Sequence, residues 1–297
     1  MRSNLKVHLV LALVSLLFGA NYTVAKIVMP EHISALGIIA FRVPMATLLF
    51  WGFHYFTGVH KTPSAIDLSR FFFAALFGVA TNQIFFFKGI SLTSPMLGSV
   101  IMTSTPIFVL VVSYFLLKEK ITWVKFLGIG LGALGAILLI TSHGTDFSNS
   151  TFTGNLFILV NAISYSIYLV IVKPLMLKYN ALTVIKWVFL FGSFMVIPFG
   201  YSGLMAANWS NFDIGIWVSI AYIIIGSTFF AYLLNLWSLK VVSPALVGYY
   251  IYLQPLFATI IAIIFRGDEI TLASILYSVM IFGGVFLVSY RKNSSTI

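Results

Sequence analysis

Arg42 is the residue whose type and position most directly imply chemistry. It lies about eight residues into the apolar run 34–56, which at a helical rise of 1.5 Å per residue is about 12 Å along a helix. If that run crosses a bilayer, the charged side chain costs about 2.5–3.5 kcal/mol on insertion scales and has to face protein or water. Arg42 then either pairs with an anionic group of a solute, such as a carboxylate, or has a structural role in which it bonds to helix carbonyls or extends to the membrane surface.

Uncharged polar side chains interrupt most of the other apolar runs. An amide or a phenol in hydrocarbon needs a hydrogen-bonding partner, so these side chains should turn inward, where they either join helices or line a cavity. For any single residue the two roles are equally supported. The set comprises Asn21, Asn82, Gln83, Thr103, Thr105, Ser164, Tyr165, Ser227, Tyr232 and Gln254.

Two tyrosines and two prolines add to this set. Tyr249 and Tyr252 are three residues apart and share a helix face, where they either pack or form a wall for an amphipathic or aromatic solute, including a cationic one held by the ring faces. Pro106 and Pro255 each remove one backbone hydrogen bond inside an apolar run and therefore predict a kink. As a pair they are either hinges between two conformations or fixed kinks that shape a cavity.

The residue types that catalysis and metal binding require are missing or lie elsewhere. The chain has no cysteine, its 7 acidic residues fall at run ends or in connecting segments, and its 5 histidines show no metal-ligand spacing. It contains no His-Glu-x-x-His and no Gly-x-Ser-x-Gly motif. We therefore expect no enzyme activity, no metal and no cofactor, and a buried carboxylate as carrier of a coupled proton is disfavoured.

The composition places the chain in a membrane. It is 60% hydrophobic and only 8% charged, whereas about a quarter of the residues of a soluble domain are charged. The apolar runs are continuous rather than alternating, which predicts helices and not a barrel, and Pro30, Pro63, Pro95, Pro174 and Pro244 fall at run edges. The ten predicted spans are about 7–29, 34–56, 70–90, 94–117, 123–141, 154–173, 181–203, 214–238, 243–265 and 271–290.

The basic residues indicate how these spans are oriented. If the N-terminus is cytoplasmic, 13 of the 17 basic residues lie on the inside, so the positive-inside rule predicts that both termini are cytoplasmic. The net charge of +10 is then an orientation signal and not a nucleic-acid surface. The inside residues are Arg2, Lys6, Lys61, Arg70, Lys118, Lys120, Lys125, Lys173, Lys178, Lys186, Lys240, Arg291 and Lys292.

An internal repeat divides the chain into two halves. The stretches 94–122 and 243–271, 149 residues apart, align without a gap, share 7 of 29 residues, and both run from Ser-Pro through a central proline to Ile-Thr. We assign the halves to 1–147 and 148–297. Five spans in each half would invert the second half relative to the first, an arrangement that occurs in secondary transporters with the substrate site between the halves.

Glycines of the fifth span, 128 to 135, and Gly284 predict close helix contact, within a monomer rather than across a dimer.

Several of these features resemble the drug/metabolite transporter superfamily, specifically its EamA-like ten-span exporters. They are Phe18-Gly19, Arg42, Pro106 followed by Lys118-Glu119-Lys120, and Pro255 followed by Gly267-Asp268-Glu269. The family commonly has Trp-Gly in the first span and a Gly-Glu-Arg-like exit from the fourth, where this chain has Phe-Gly and Lys-Glu-Lys. The resemblance therefore implies a fold and transport in general, without a particular solute.

The resemblance also bears on the candidate site. It places spans one, three, four, six, eight and nine around a central cavity, which favours cavity lining for the polar set as a whole. Because Arg42 looks like a family-wide feature, its structural role is slightly favoured over solute binding. The predicted substrate-binding residues are Asn21, Arg42, Asn82, Gln83, Thr103, Thr105, Tyr165, Tyr232, Tyr249, Tyr252 and Gln254, and the predicted hinges are Pro106 and Pro255.

Together these patterns predict an all-α integral membrane protein of ten transmembrane helices in two inverted repeats. We expect a monomeric secondary transporter of a bacterial inner membrane, with a small solute and the lipid bilayer as its partners. The solute would be an amphipathic metabolite, such as an amino acid-like, amine or drug-like molecule, exported or exchanged by alternating access. The alternative is an intramembrane enzyme or lipid-handling protein without a recognisable motif.

Overall fold

The computed structural model describes residues 2–57, 63–93, 95–119, 121–141, 152–257, 260 and 272–289, and within these ranges the chain is helical and forms no strand. The helices are α1 (Arg2–Val28), α2 (Ala35–Thr57), α3 (Ala65–Leu92), α4a (Pro95–Met102), α4b (Thr105–Leu117), α5 (Trp123–Thr141), α6 (Phe152–Lys178), α7 (Ala181–Met205), α8 (Ile214–Val241), α9 (Pro244–Tyr249, then a 3₁₀ turn, Tyr250–Tyr252) and α10 (Leu272–Ser289). The predicted helical class is confirmed. Lys61, Lys120, Arg291, Lys292, Gly267-Asp268-Glu269 and the seam between the halves at 142–151 lie outside the described residues.

Six helices are long and apolar enough to cross a membrane. They are α1, α2, α3, α6, α7 and α8, each with an apolar segment of 23 to 28 residues. A hydrocarbon core of about 30 Å needs about 20 helical residues, so each of these segments suffices. Their outer faces carry exposed large apolar side chains, such as Phe56 and Ile214, as expected of helices in contact with lipid. The chain is therefore a multi-pass membrane protein, and α4b, α5 and α10 contribute shorter apolar helices.

The fourth apolar run is broken, which corrects the continuous span predicted over 94–117. α4a ends at Met102 and α4b begins at Thr105. Pro106 has no backbone N–H to donate to the carbonyl of Met102, and its ring would clash there. The chain therefore starts a new helix with Pro106 in its first turn, where no donor is needed. In α9 the 3₁₀ turn over Tyr250–Tyr252 likewise precedes Pro255.

One further boundary differs from the sequence prediction, at the end of α6. α6 continues through Pro174 to Lys178, so this proline does not end the helix. Packed neighbouring helices and local adjustment of the hydrogen bonds make such prolines tolerable in membrane helices.

Asp213 caps α8, since its Oδ1 accepts a hydrogen bond of 2.8 Å from the Ile216 N–H. A carboxylate at a helix N-terminus also interacts favourably with the helix dipole.

Glycines allow the helices of the bundle to approach closely. In the contact between α2 and α7, a Cβ on Gly37 would lie 2.7 Å from the Gly203 carbonyl. In the contact between α5 and α10, a Cβ on Gly284 would lie 2.8 Å from the Gly128 carbonyl oxygen and 2.8 Å from the Gly132 nitrogen. Backbone therefore meets backbone, and the small-residue face of α5 is occupied by α10 of the same chain, as predicted.

A matched pair of substitutions tests this contact. Gly284→Ala places a methyl group against backbone atoms that cannot move aside, so we expect it to destabilise the protein by about 1–3 kcal/mol, seen as a lower melting temperature in detergent. Gly283→Ala is the control, since its Cβ would meet only the Leu131 side chain, at 3.5 Å, and we expect an unchanged or higher melting temperature. Equal melting temperatures for the two variants would contradict the close contact.

Candidate functional site

A cavity lies inside the helix bundle, with about 510 Å³ of empty space including its opening. Residues from both halves of the chain form its wall, on α1, α2, α3, α4a, α6, α8 and α9. Arg42 is the only charged residue among them. The lining residues are Phe18, Asn21, Tyr22, Arg42, Asn82, Gln83, Phe86, Phe87, Met102, Asn161, Tyr165, Tyr232, Ile251 and Gln254.

Arg42 reaches the cavity without a partner from the protein. The residue is 3% exposed, and within the described ranges it makes no hydrogen bond and no ion pair. Its guanidinium carbon lies 4.7 Å from the centre of the Phe87 ring, a cation–π contact that partly compensates for lost hydration. Within the part of the chain that the structure describes, the Arg42 side chain bonds to no helix carbonyl, and its burial means that it is not exposed at the protein surface.

Tyr232 is the centre of a hydrogen-bonded group on one side of the cavity. Its hydroxyl oxygen accepts a hydrogen bond of 3.1 Å from Gln83 Nε2 and lies 3.2 Å from both the Gly78 carbonyl oxygen and Asn82 Oδ1. Asn161 Nδ2 donates to the Asn82 carbonyl oxygen at 2.7 Å. This group links α3 of the first half to α6 and α8 of the second.

Wide helical turns lie next to this group. α3 adopts i→i+5 hydrogen bonding over Leu76–Ala80, and α8 does so over Tyr222–Phe230. Such π segments free backbone carbonyls for other donors and occur frequently at functional sites. The freed Phe77 carbonyl accepts a hydrogen bond of 2.7 Å from Ser164 Oγ on α6. The π segment of α3 thus bonds to α6 through Ser164 and to α8 through the Tyr232 hydroxyl, which is 3.2 Å from the Gly78 carbonyl oxygen.

α1 meets α9 where Gln254 enters the cavity. Tyr22 donates a hydrogen bond of 3.4 Å to Gln254 Oε1. A Cβ on Gly19 would lie 2.9 Å from the Gln254 carbonyl oxygen, so glycine is needed at this crossing. The Phe18-Gly19 pair therefore has two roles. Phe18 lines the cavity, and Gly19 allows the backbone at Gln254 to approach α1 closely.

Aromatic rings form most of the apolar wall. Phe86 packs edge to face on Tyr22, with ring centres 5.3 Å apart, and Phe18 does so on Tyr232 at 5.9 Å. Together with Phe87 beneath Arg42, these rings surround a space that contains one positive charge. A flat apolar group can lie against such rings, while its polar end can reach Arg42 or the amides.

The structure places seven of the eleven predicted substrate-binding residues in this cavity. They are Asn21, Arg42, Asn82, Gln83, Tyr165, Tyr232 and Gln254. Thr103 and Thr105 are buried at the α4 break and do not line it. Tyr249 and Tyr252 do share a face, with ring centres 5.2 Å apart, but neither lines the cavity. Tyr252 packs on Gly132 of α5 and donates a hydrogen bond of 3.3 Å to the Ile129 carbonyl oxygen.

Sequence reasoning missed several lining residues. Asn161 carries the same signal as the predicted amides, a polar side chain in an apolar run, and was overlooked beside Ser164 and Tyr165. Met102 ends α4a and Ile251 lies within the 3₁₀ turn of α9, where only the folded backbone shows that they face the cavity. The remaining missed residues are aromatic and give no signal in a chain with 29 phenylalanines and 14 tyrosines: Phe18, Tyr22, Phe86 and Phe87.

Comparison with known proteins connects this architecture to membrane transport. An uncharacterized transporter of Archaeoglobus fulgidus is 25% identical over 98% of this chain and 99% of its own length. Protein WALLS ARE THIN 1 of Arabidopsis thaliana is 27% identical over 97% of this chain and 84% of its own. A crystal structure of a protein with 16% identity superposes with a TM-score of 0.74, over 94% of this chain and 98% of that one, which shows a shared fold.

The family match covers nearly the whole sequence. The model of the EamA-like transporter family matches residues 5–141 and again residues 152–290. The family and the Archaeoglobus fulgidus relative are named as transporters and not as enzymes. On these grounds the chain belongs to the EamA-like transporter family.

Proposed function

We propose that this protein is a secondary transporter that exports or exchanges a small amphipathic metabolite across the cell membrane by alternating access. The observation that carries the proposal is the cavity that both halves of the chain line, with the unpaired Arg42 in its wall. A buried charge without a partner costs several kcal/mol, which a stable protein tolerates where the charge serves binding. Family membership supports transport as such, and the cavity supports the place where the solute binds.

The proposal includes ten spans in two inverted repeats, 1–147 and 148–297. The two matches of one family model to successive halves support it. So does the offset of 149 residues: Pro106 corresponds to Pro255, and both follow a break in their helix. Gln83 corresponds to Tyr232 at the same offset, and these two side chains bond to each other. Equivalent residues can touch only near a symmetry axis, so a twofold axis beside the cavity accounts for this contact.

Alternating access requires that one end of the cavity be closed while the other opens. Asp67, near the start of α3, is 3% exposed and accepts hydrogen bonds from Tyr179 Oη at 2.7 Å, from Ser64 Oγ at 2.7 Å and from Lys178 Nζ. These contacts join the two halves about 22 Å along α3 from the cavity residue Asn82. His8 of α1 bonds to Tyr250 of α9 and ties the halves at a second point. We propose that these ties close the cytoplasmic end.

The proposed orientation is testable because the chain lacks cysteine. Asn208 is exposed in the loop before α8, on the predicted outer side of the membrane. Lys240 is exposed near the end of α8, on the predicted inner side. We expect a membrane-impermeant maleimide to label Asn208→Cys in intact cells, and Lys240→Cys only after permeabilisation. The reverse pattern would contradict cytoplasmic termini, and labelling of both in intact cells would contradict the span count.

Solute flux into proteoliposomes tests the transport cavity. We expect a panel of amphipathic metabolites to include at least one transported solute, and Tyr232→Phe, which removes the hydroxyl that joins the halves, to lower its flux several-fold while the protein stays folded. Tyr114→Phe is the matched control, since Tyr114 is exposed on α4b. An unchanged flux in Tyr232→Phe would remove the hydroxyl from the mechanism.

The same assay tests how transport is driven. Among the residues that the structure describes, no acidic residue lines the cavity, so we expect flux to depend little on an imposed pH gradient. Strict dependence would overturn this part of the proposal. If no panel solute is transported while the protein converts a lipid or a peptide, the enzyme alternative replaces transport.

The hydrogen bonds and the ion pair of Asp67 lead to a separate prediction. Asp67→Asn removes the negative charge that Lys178 pairs with, so the cytoplasmic end should open more often. With Ser238→Cys as a buried reporter near that end of α8, we expect faster labelling in Asp67→Asn, and a smaller increase in Ser64→Ala, which loses one neutral hydrogen bond. Slower or equal labelling in Asp67→Asn would contradict a role in closure.

A further inference from the structure

We propose that the solute of this cavity is an organic anion with a single carboxylate, which pairs with Arg42, and a flat aromatic body, which lies against the phenylalanine and tyrosine wall. This inference rests on the proposed transport cavity and narrows its solute to one charge class. It excludes the amines and favours a carboxylate over a neutral drug-like molecule.

The charge of the wall carries the first step. Among the lining residues Arg42 alone is charged, and it is 3% exposed, so little bulk water screens it. A carboxylate opposite the guanidinium would form a charge-assisted, often two-pronged pair. A cation in the same cavity would be repelled by Arg42 and would find no carboxylate. The wall therefore favours anionic over cationic solutes before any other contact forms.

No acidic side chain of the described ranges is placed to neutralise Arg42. Asp67 is held by Lys178 and Tyr179 at the far end of α3, and Asp213 caps α8. Glu119 lies 3.8 Å from Lys125, in an ion pair beyond the end of α4b. Glu31 is exposed in the turn between α1 and α2. The positive charge is thus left for an anion that enters from outside the protein.

The rest of the wall indicates the shape of that anion. Phe87 lies directly beneath the guanidinium, and Phe86 and Phe18 extend the aromatic surface. Rings at these positions favour a planar body with its edge or face against them. Two lining acceptors, Gln83 Oε1 and Asn161 Oδ1, have no hydrogen-bond donor. An N–H or O–H on the body, away from the carboxylate, would satisfy one of them.

Equilibrium binding to the purified full chain separates these features. The probes share one body: 3-(4-hydroxyphenyl)propionate, its primary amide, tyramine and tyrosine, which present an anion, a neutral group, a cation and a zwitterion. We expect the carboxylate to bind at least about tenfold more tightly than the amide and tyramine, and more tightly than tyrosine, measured by calorimetry or thermal shift. Replacing the ring hydroxyl by hydrogen should weaken binding by a smaller factor.

Three variants test whether Arg42 causes the preference for the carboxylate. Arg42→Gln should bring the carboxylate and the amide to equal affinity, while Arg42→Lys, which keeps the charge, should retain a preference for the carboxylate. Lys240→Gln is the control, since Lys240 is exposed near the end of α8 and does not line the cavity, and its affinities should match those of the unmodified protein. If Arg42→Gln does not fold, the probe series on the unmodified chain and Arg42→Lys still decides the question.

The results that overturn the inference are distinct from those that overturn transport. Equal or tighter binding of the amide or of tyramine removes the anion class, and so does the absence of binding by all four probes at millimolar concentration. Either result leaves flux of another solute, and therefore the proposed function, intact. A preference for the carboxylate that survives in Arg42→Gln places the charge recognition elsewhere and also overturns the inference.

Discussion

The constraint on which the structure depends is that a backbone in hydrocarbon has to satisfy its own hydrogen bonds. Helices meet this requirement, and the described residues form helices in every apolar run. The exceptions occur where protein surrounds the backbone. α4 breaks before Pro106, α9 tightens before Pro255, and α3 and α8 widen into π segments, all around the centre of the bundle. These irregular turns release carbonyls and direct side chains such as Met102 and Ile251 toward the cavity.

The second constraint follows from charge. A bilayer penalises an unpaired ion, and the bundle pairs one of its buried charged groups, Asp67, with Lys178 and Tyr179. Arg42 has no counter-ion in the described part of the chain and contacts the Phe87 ring, much as buried Lys186 contacts the ring of Trp51. The proposed recognition of an anion would account for the position of Arg42 at the cavity. The close approach of the Gly19 and Gln254 backbones packs α1 against α9 in the cavity wall.

The sequence predicted the helices well and the site in part. Continuous apolar runs and proline positions located most helix ends within a few residues, because burial in lipid acts on each run separately. Polar residues in those runs identified Arg42, Gln83, Tyr232 and Gln254 as inward-facing. The prediction failed for Tyr252, whose ring packs on Gly132, since a tyrosine that packs and one that lines a cavity look identical in sequence. It also failed for Pro174, because packing around α6 tolerates a proline that local rules place at a helix end.

By itself the sequence determined that this chain is a helical membrane protein with two similar halves, since hydropathy and an offset of 149 residues are properties of the chain alone. Only the tertiary structure decided which polar residues meet. Gln83 and Tyr232 are 149 positions apart and touch because the bundle brings α3 and α8 to the wall of the same cavity. Arg42 was ambiguous in the sequence because its role depends on what surrounds its guanidinium. The fold surrounds it with aromatic rings and a cavity, and brings no acidic residue of the described part of the chain into the wall, which is a property of packing that no single stretch of sequence contains.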